Sequence, residues 1–420
     1  MEERKELYET KNEKERVILV GIENEGSIMG VDACLDELEE LINTAGAEVV
    51  GRLVQKRERP HPGHYLGKGK LEELEVMVNA YDATGIVCDD DLSPAQMRNL
   101  EQITNTKIMD RTMVVLDIFA QRASSREGKI QVELAQLKYR LSRLTGMGTV
   151  LSRLGGGIGT RGPGEKKLEI DRRLIHDRIS VLKEELEDVK RHREVQRKQR
   201  EGSGTLTLAI VGYTNAGKST LLNKLTQAGI LAEDKLFATL DPTTRALTLP
   251  GGEKVLLTDT VGFIRKLPHH LIDAFKSTLE EAKYSDVILH VVDCANPQMD
   301  MQMHVVYETL RQLEVQGKEI VTVFNKIDRM DADVTCRDPK ADFRVKISAK
   351  TGEGLDELLE TIENILRSRR VYLEKIFGYA EAGKIQKIRA KGQLLSEEYT
   401  EEGIHVKAYV PAELFEEFYR

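Results

Sequence analysis

Nine consecutive residues, Gly212-Tyr213-Thr214-Asn215-Ala216-Gly217-Lys218-Ser219-Thr220, have the types and spacing needed to cradle the phosphates of a nucleotide. The glycines let backbone N–H groups turn inward onto an anion. Lys218 would reach the terminal phosphates, and the Ser219 hydroxyl would sit on the magnesium ion that bridges them. Such a loop needs a strand before it and a helix after it. Leu206 to Val211 is an apolar run ending at a glycine, as a buried strand does, and Leu221, Leu222 and Leu225 follow with helical spacing. The positive end of that helix adds to the attraction for phosphate.

The choice of base comes from two later segments. Asn325-Lys326-Ile327-Asp328 follows an apolar strand at the place where a base lies in an open α/β sheet. Asp328 offers two carboxylate oxygens to the guanine N1 and N2 donors, which adenine lacks. Asn325 is expected at the N7 and O6 side and Lys326 over the face of the base. Ser348-Ala349-Lys350 supplies a backbone N–H to O6. The pair points to GTP rather than ATP.

Asp259-Thr260-Val261-Gly262 closes another strand, where its carboxylate can hold magnesium through water and the Gly262 N–H can meet the γ-phosphate. Phe237-Ala238-Thr239-Leu240-Asp241 occupies the place of a second switch segment. Thr239 is the expected second hydroxyl on the metal beside Ser219, with Thr243 and Thr244 as rivals. After Gly262 stands Phe263, which cannot orient an attacking water, so no catalytic residue is assigned and intrinsic hydrolysis is expected to be slow. Arg265, Lys266, His269 and His270 lie just downstream.

The 420 residues suffice for two to four domains with their own cores. Hydrophobic residues make up 40% and charged residues 31%, which excludes disordered and collagen-like classes. Cys34, Cys88, Cys294 and Cys336 are scattered without CxxC pairing, against a zinc site or a disulfide framework. No apolar run spans a bilayer and the charged N-terminal stretch carries no apolar signal core, so a cytoplasmic protein without a membrane partner is expected. With a formal charge of -8, any nucleic acid must be met by local basic patches.

Four domains are expected: 1–125, 126–201, 202–369 and 370–420. The first alternates strands at Val17 to Gly21, Ala47 to Val54, Ile86 to Cys88 and Lys107 to Asp110 with helices, as a small parallel α/β domain does. Within it Leu66-Gly67-Lys68-Gly69-Lys70 reads first as a basic helix start packed on a loop, and second as an anion site. In the second, Ile130, Leu134, Leu137, Leu141 and Leu144 form one apolar stripe, and Ile175, Ile179, Leu182, Leu186 and Val189 another. Two such helices make an antiparallel hairpin. The join from Arg153 to Glu165 is expected to be non-helical, its glycines Gly155, Gly156, Gly157, Gly159, Gly162 and Gly164 allowing close approach to a surface. Arg143, Arg153, Arg161, Lys166, Lys167, Arg172 and Arg173 surround it with charge suited to RNA phosphates. The third domain carries the phosphate loop on a doubly wound, Ras-like sheet with strands at 206–211, 254–260, 287–293, 320–325 and 345–348. The last is a small α+β piece, with strands at 371–377 and 404–410, expected to pack on its predecessor.

These motifs together resemble the HflX family of ribosome-associated GTPases. The likeness rests on Gly212 to Thr220, on Phe237 to Arg245, on Asp259 to Glu280 (DTVGFIRKLPHHLIDAFKSTLE) and on the GGGIGTRGPGE loop, and it covers nearly the whole chain. It implies a magnesium-dependent GTPase that binds the large ribosomal subunit, sets its Gly-rich loop near the ribosomal RNA of the peptidyl transferase centre and splits stalled ribosomes under stress. An apolar residue at Phe263 is shared with that family and implies activation by the ribosome. Two other readings compete: an RNA-remodelling or assembly factor worked by the N-terminal domain, and a partner of a modification enzyme. No apolar stripe is left over once the two helices face each other, so a monomer is expected.

Overall fold

The structure, a computed structural model, describes residues 14–24, 30–144, 163–201, 205–226, 236–237, 240–266, 281–330 and 335–419, with 163–168, 192, 196–201, 390–391, 411–413 and 419 described in backbone alone. The chain divides into two compact units, Met1–Arg122 with Val132–Leu182 and Ala123–Gln131 with Lys183–Arg420.

The first unit is built on a four-stranded parallel sheet of order β2-β1-β3-β4: β1 Arg16–Glu23, β2 Glu48–Lys56, β3 Gly85–Cys88 and β4 Lys107–Asp110. Val17, Ile18, Leu19 and Val20 are all fully buried, as expected of a strand covered on both faces. Helices Val31–Ala45, Lys68–Ala80 and Pro94–Thr104 connect the strands, and Arg111–Arg122 follows β4. The third starts on a capping box in which Ser93 and Gln96 bond each other's backbone N–H. The helix after Gly67 begins at Lys68, with the Gly67 N–H on Gln55 Oε1 at 2.9 Å and Lys70 paired to Glu73.

The two long helices run Arg126–Leu144 and Pro163–Glu201. Pro163, Gly164 and Glu165, expected in the non-helical join, lie in the first turn of the second helix. Proline fits there because its fixed φ suits the helix and its missing N–H would have no partner in any case. Residues 145–162, with Arg153, Gly155, Gly156, Gly157, Gly159, Arg161 and Gly162, lie outside the described residues. Glu133 receives both Arg178 Nε and Nη2, at 2.7 and 2.9 Å, and Arg126 pairs with Glu185, so the pairing runs antiparallel. Ile130, Leu134, Ile179, Leu182 and Leu186 of the two stripes are buried.

Arg143, expected among the charges around the tip, is instead committed elsewhere. Its guanidinium bonds the Asp110 carboxylate and the Leu92 carbonyl. Asp110, fully buried at the end of β4, also accepts the Tyr139 hydroxyl at 2.9 Å and the Met113 N–H at 3.0 Å. Burial raises this carboxyl despite the pull of Arg143. Arg143 is therefore not among the charges available to RNA phosphates, because a buried carboxylate 33 residues earlier claims its guanidinium.

The second unit carries a six-stranded sheet of order β10-β9-β8-β5-β7-β6: β5 Thr207–Gly212, β6 Thr243–Thr248, β7 Lys254–Asp259, β8 Val287–Asp293, β9 Glu319–Asn325 and β10 Phe343–Lys346. All pairs are parallel except β6 with β7. The edge strand β6 was not expected, because Thr-Thr-Arg-Ala-Leu-Thr shows no apolar run and only Leu247 of it is buried. The last segment adds β11 Arg370–Phe377, β12 Gln393–Thr400 and β13 Gly403–Pro411 in the order β11-β13-β12. β12 was also missed, its alternation broken by a bulge between Leu394 and Ser396. Leu373, Phe377, Ile388, Val406, Val410 and Phe418 give this piece its own core, and Arg370 pairs with Glu253 in the turn between β6 and β7. Among the described residues no helix is long and apolar enough to cross a membrane.

Candidate functional site

The phosphate loop forms where β5 ends. A Cβ on Gly212, whose φ is +158°, would strike the Val291 carbonyl of the neighbouring β8, so close packing of two strands fixes glycine there. Helix Lys218–Thr226 starts immediately after Gly217, whose own Cβ position is filled by Asn325 Nδ2. Lys218 is buried, its Nζ donating to the Tyr213 carbonyl at 2.8 Å. Burial pushes its ammonium down to about 8, with Asp259 pulling it back up and Lys326 pressing it lower. An ammonium held so far from water gains strongly from an anion set beside it.

Ser219 Oγ donates to Asp259 Oδ2 at 2.7 Å, and Asp259 is fully buried at the end of β7. This donor set is all oxygen, one hydroxyl and one carboxylate at the mouth of a phosphate loop, which fits magnesium. Thr239 lies outside the described residues, as does Ala238. The rivals Thr243 and Thr244 begin β6, and the Thr244 hydroxyl shares a 2.9 Å hydrogen bond with that of Thr258.

Thr214 joins the phosphate loop to the two segments expected to act as switches, at Phe237 and at Phe263. Its N–H donates to the Phe263 carbonyl at 2.7 Å, and its hydroxyl accepts the Phe237 N–H at 3.0 Å. Phe263 N–H in turn reaches the Gly212 carbonyl at 3.1 Å, making Tyr213 and Phe263 a parallel bridge. A Cβ on Gly262 would lie 2.8 Å from Thr214 Cα and 3.0 Å from Lys218 Nζ, so this backbone rests directly on the loop. The Phe263 side chain is buried and Arg265 N–H bonds the Tyr213 hydroxyl. His269 and His270 lie outside the described residues.

The base-side segments meet through Asn325. Its Nδ2 donates to the Ala216 carbonyl and its Oδ1 accepts the Ala349 N–H, both at 2.9 Å. Asn325 is thus a brace between the phosphate loop and Ser348-Ala349-Lys350, and its Oδ1 takes up the Ala349 N–H. Lys326 stands in the left-handed region, φ 66°, with Nζ on Asp293 Oδ2 at 2.7 Å. Asp328 is exposed, and the Ser348 hydroxyl at 2.6 Å on its Oδ1 holds its pKa down.

Two contributors escaped sequence reasoning. Asp293 fixes Lys326 from the end of β8, and its position at the end of an apolar strand was the available signal. Ser124 and Ser125 bond Asp241 from 117 and 116 residues away, with no local pattern to announce it.

Three family models match the chain: one described as a GTP-binding GTPase N-terminal region over residues 32–120, one as a GTP-binding GTPase middle region over 122–200, and one as a 50S ribosome-binding GTPase over 207–326. A curated relative called GTPase HflX from Lacrimispora saccharolytica is 70% identical over 410 residues, spanning 98% of this chain and 97% of its own. The GTPase HflX of Escherichia coli K12 is 43% identical over 335 residues, 78% of each chain. A GTP-binding protein from Sulfolobus solfataricus, solved in complex with GDP, shares 26% identity over 83% of this chain and 98% of its own, with a TM-score of 0.44. The chain belongs to the HflX family of GTPases.

Proposed function

We propose that this GTPase is a switch whose GTP-bound form engages the large ribosomal subunit through the helical hairpin and its Gly-rich tip, and whose hydrolysis releases it. The supporting observation is the double engagement of Thr214, which ties Phe237 and Phe263 to one phosphate-loop residue. A γ-phosphate arriving beside Lys218 competes for the space into which Gly262 is packed, so both segments must re-seat together.

In this reading Lys218 and the backbone of Gly212 to Thr220 hold the phosphates. Ser219 and Asp259 hold Mg2+, joined by Thr239. When bound, the metal neutralises charge on the β- and γ-phosphates. The Gly262 N–H meets the γ-phosphate, placed by the strand end Asp259-Thr260-Val261, where Thr260 bonds the Ile210 carbonyl, while Ala238 and Leu240 flank the second switch hydroxyl and Ile327 belongs to the base segment. Asp328 selects guanine, Asn325 braces the pocket and Lys326 covers the base. The buried Phe263 offers no group to position water, so hydrolysis is slow in the free protein and accelerates on the ribosome.

The matched family descriptions, and the exposed Arg172 and Arg173 following the tip, support a ribosomal RNA partner near the peptidyl transferase centre. The finer reading is separation of stalled ribosomes under stress by a cytoplasmic monomer organised as the four domains 1–125, 126–201, 202–369 and 370–420. Replacing Arg153 and Arg161 by alanine is expected to weaken co-sedimentation with the large subunit while leaving nucleotide affinity unchanged. Equal sedimentation of variant and parent would contradict the role given to the tip.

A further inference from the structure

Asp241 closes the switch segment Phe237 to Asp241, yet its carboxylate points at the start of the first hairpin helix. Oδ2 accepts the Ser124 N–H at 3.1 Å, the Ser124 hydroxyl at 2.7 Å and the Ser125 N–H at 2.7 Å, and Oδ1 accepts the Ser125 hydroxyl. Ser125 then caps the helix Arg126–Leu144, its Oγ taking the Gly128 N–H at 2.9 Å and its carbonyl the Lys129 N–H at 3.1 Å. A Cβ on Gly128 would run into Asp241 Oδ1, so a side chain there would push the carboxylate off the helix start. A carboxylate at a helix N-terminus is also favoured by the helix dipole.

The same carboxylate is two residues from the nucleotide side of the sheet. Thr243, the first residue of β6, pairs in register with Asp259, the residue that accepts the Ser219 hydroxyl. The first turn of the helix is tied in turn to the second long helix, Arg126 to Glu185 at 3.5 Å and Glu127 to Arg193 at 2.8 Å. One short run of hydrogen bonds, chain and ion pairs therefore joins the magnesium-side hydroxyl to both hairpin helices.

We propose that the Asp241 carboxylate with Ser124, Ser125 and Gly128 is the coupling through which the nucleotide state reaches the hairpin. The serines and Gly128 are positioning residues: they touch no nucleotide, and they read the place of the switch segment as the presence or loss of a helix cap. This rests on the reading of Phe237 to Asp241 as a switch, and it does not depend on what the hairpin binds. In the state seen here the cap is made. A state in which γ-phosphate draws the switch segment inward pulls Asp241 from the serines and frees the first turn, or the reverse if that state holds Asp241 more firmly. Either way the two nucleotide states differ at residues 124–131.

Hydrogen exchange of the full-length protein in GDP and in a non-hydrolysable GTP analogue tests this. Exchange at amides 126–131 is expected to differ at least tenfold between the two states in the parent chain. The double variant Ser124→Ala with Ser125→Ala, and separately Gly128→Ala, should reduce that difference below twofold while nucleotide affinity and basal hydrolysis stay within twofold of the parent. Alanine is the better helix former, so the Gly128 variant separates loss of coupling from loss of folding. A difference at Leu236, Phe237 and Leu240 with none at 126–131 would overturn the coupling while sparing the switch. Absence of any difference at the switch residues would overturn the switch reading and the coupling with it. Retention of the 126–131 difference in both variants would overturn the coupling alone.

Discussion

Replacing Asn325 by alanine is expected to cost the protein its hold on nucleotide out of proportion to the atoms removed. The side chain is 2% exposed and makes two 2.9 Å hydrogen bonds, one to the Ala216 carbonyl and one from the Ala349 N–H. Both of those residues are themselves buried, at 1% and 2%. Each lost bond is worth about 1 kcal/mol net, and each stranded backbone group costs roughly 1–3 kcal/mol if it finds no new partner. In the free variant the two loops can relax toward water, so much of this cost moves to the binding step, where the loops must be brought back together. A loss of about 2–4 kcal/mol follows, or roughly 30-fold to nearly 1,000-fold in Kd. Asn325→Asp should be about as damaging, because it sets an acceptor against the Ala216 carbonyl. Titration with a fluorescent GDP analogue measures the loss, and a thermal melt of the nucleotide-free protein checks that the fold persists. A change below about threefold in a folded variant would show that Asn325 does not brace the pocket and would refute the assignment.

Asp328→Asn removes the carboxylate proposed to pair with the guanine N1 and N2 donors and puts an amide donor there. Affinity should move from guanine toward xanthine nucleotides, by competition titration, and unchanged guanine preference would count against the contact. Acid stability should depend on His290, which is 1% exposed, packs edge-on to Tyr307 and has its pKa pushed down to about 4 by burial, against the pull of Asp338. The unfolded chain binds that proton near 6.5 and the folded chain near 4, so stability present above 6.5 is lost as pH falls toward 4. The loss is about 3 kcal/mol at most. Urea melts of His290→Gln should show a flatter profile between those pH values; a slope equal to the parent's would assign the acid sensitivity to other groups.

The phosphate loop was legible because its chemistry is local: glycines, lysine and serine act within nine residues, and the strand and helix that hold them carry their own periodicity. The four parallel strands of the first unit were legible for the same reason, each an apolar run between helical stripes. Two edge strands were not, although the edges β2, β4, β10 and β11 were. β6 buries only Leu247 and β12 is broken by a bulge between Leu394 and Ser396, so their sequences show neither a run nor a clean alternation. Polar contacts across long separations left no trace either. Asp110 claims Tyr139 and Arg143, and Asp241 claims Ser124 and Ser125, through geometry that only the fold creates. Asn325 shows the limit most plainly, since its type and place were readable while the partners of its amide were not.

The proposed switch requires the γ-phosphate to control engagement of the large ribosomal subunit. Co-sedimentation of the purified protein with separate small and large subunits, in GDP and in a non-hydrolysable GTP analogue at two salt concentrations, tests it most directly. Selective binding to the large subunit, stronger with the analogue and weakened by salt, is the predicted result. Binding that is absent, or that is equal in the two nucleotides, would contradict it.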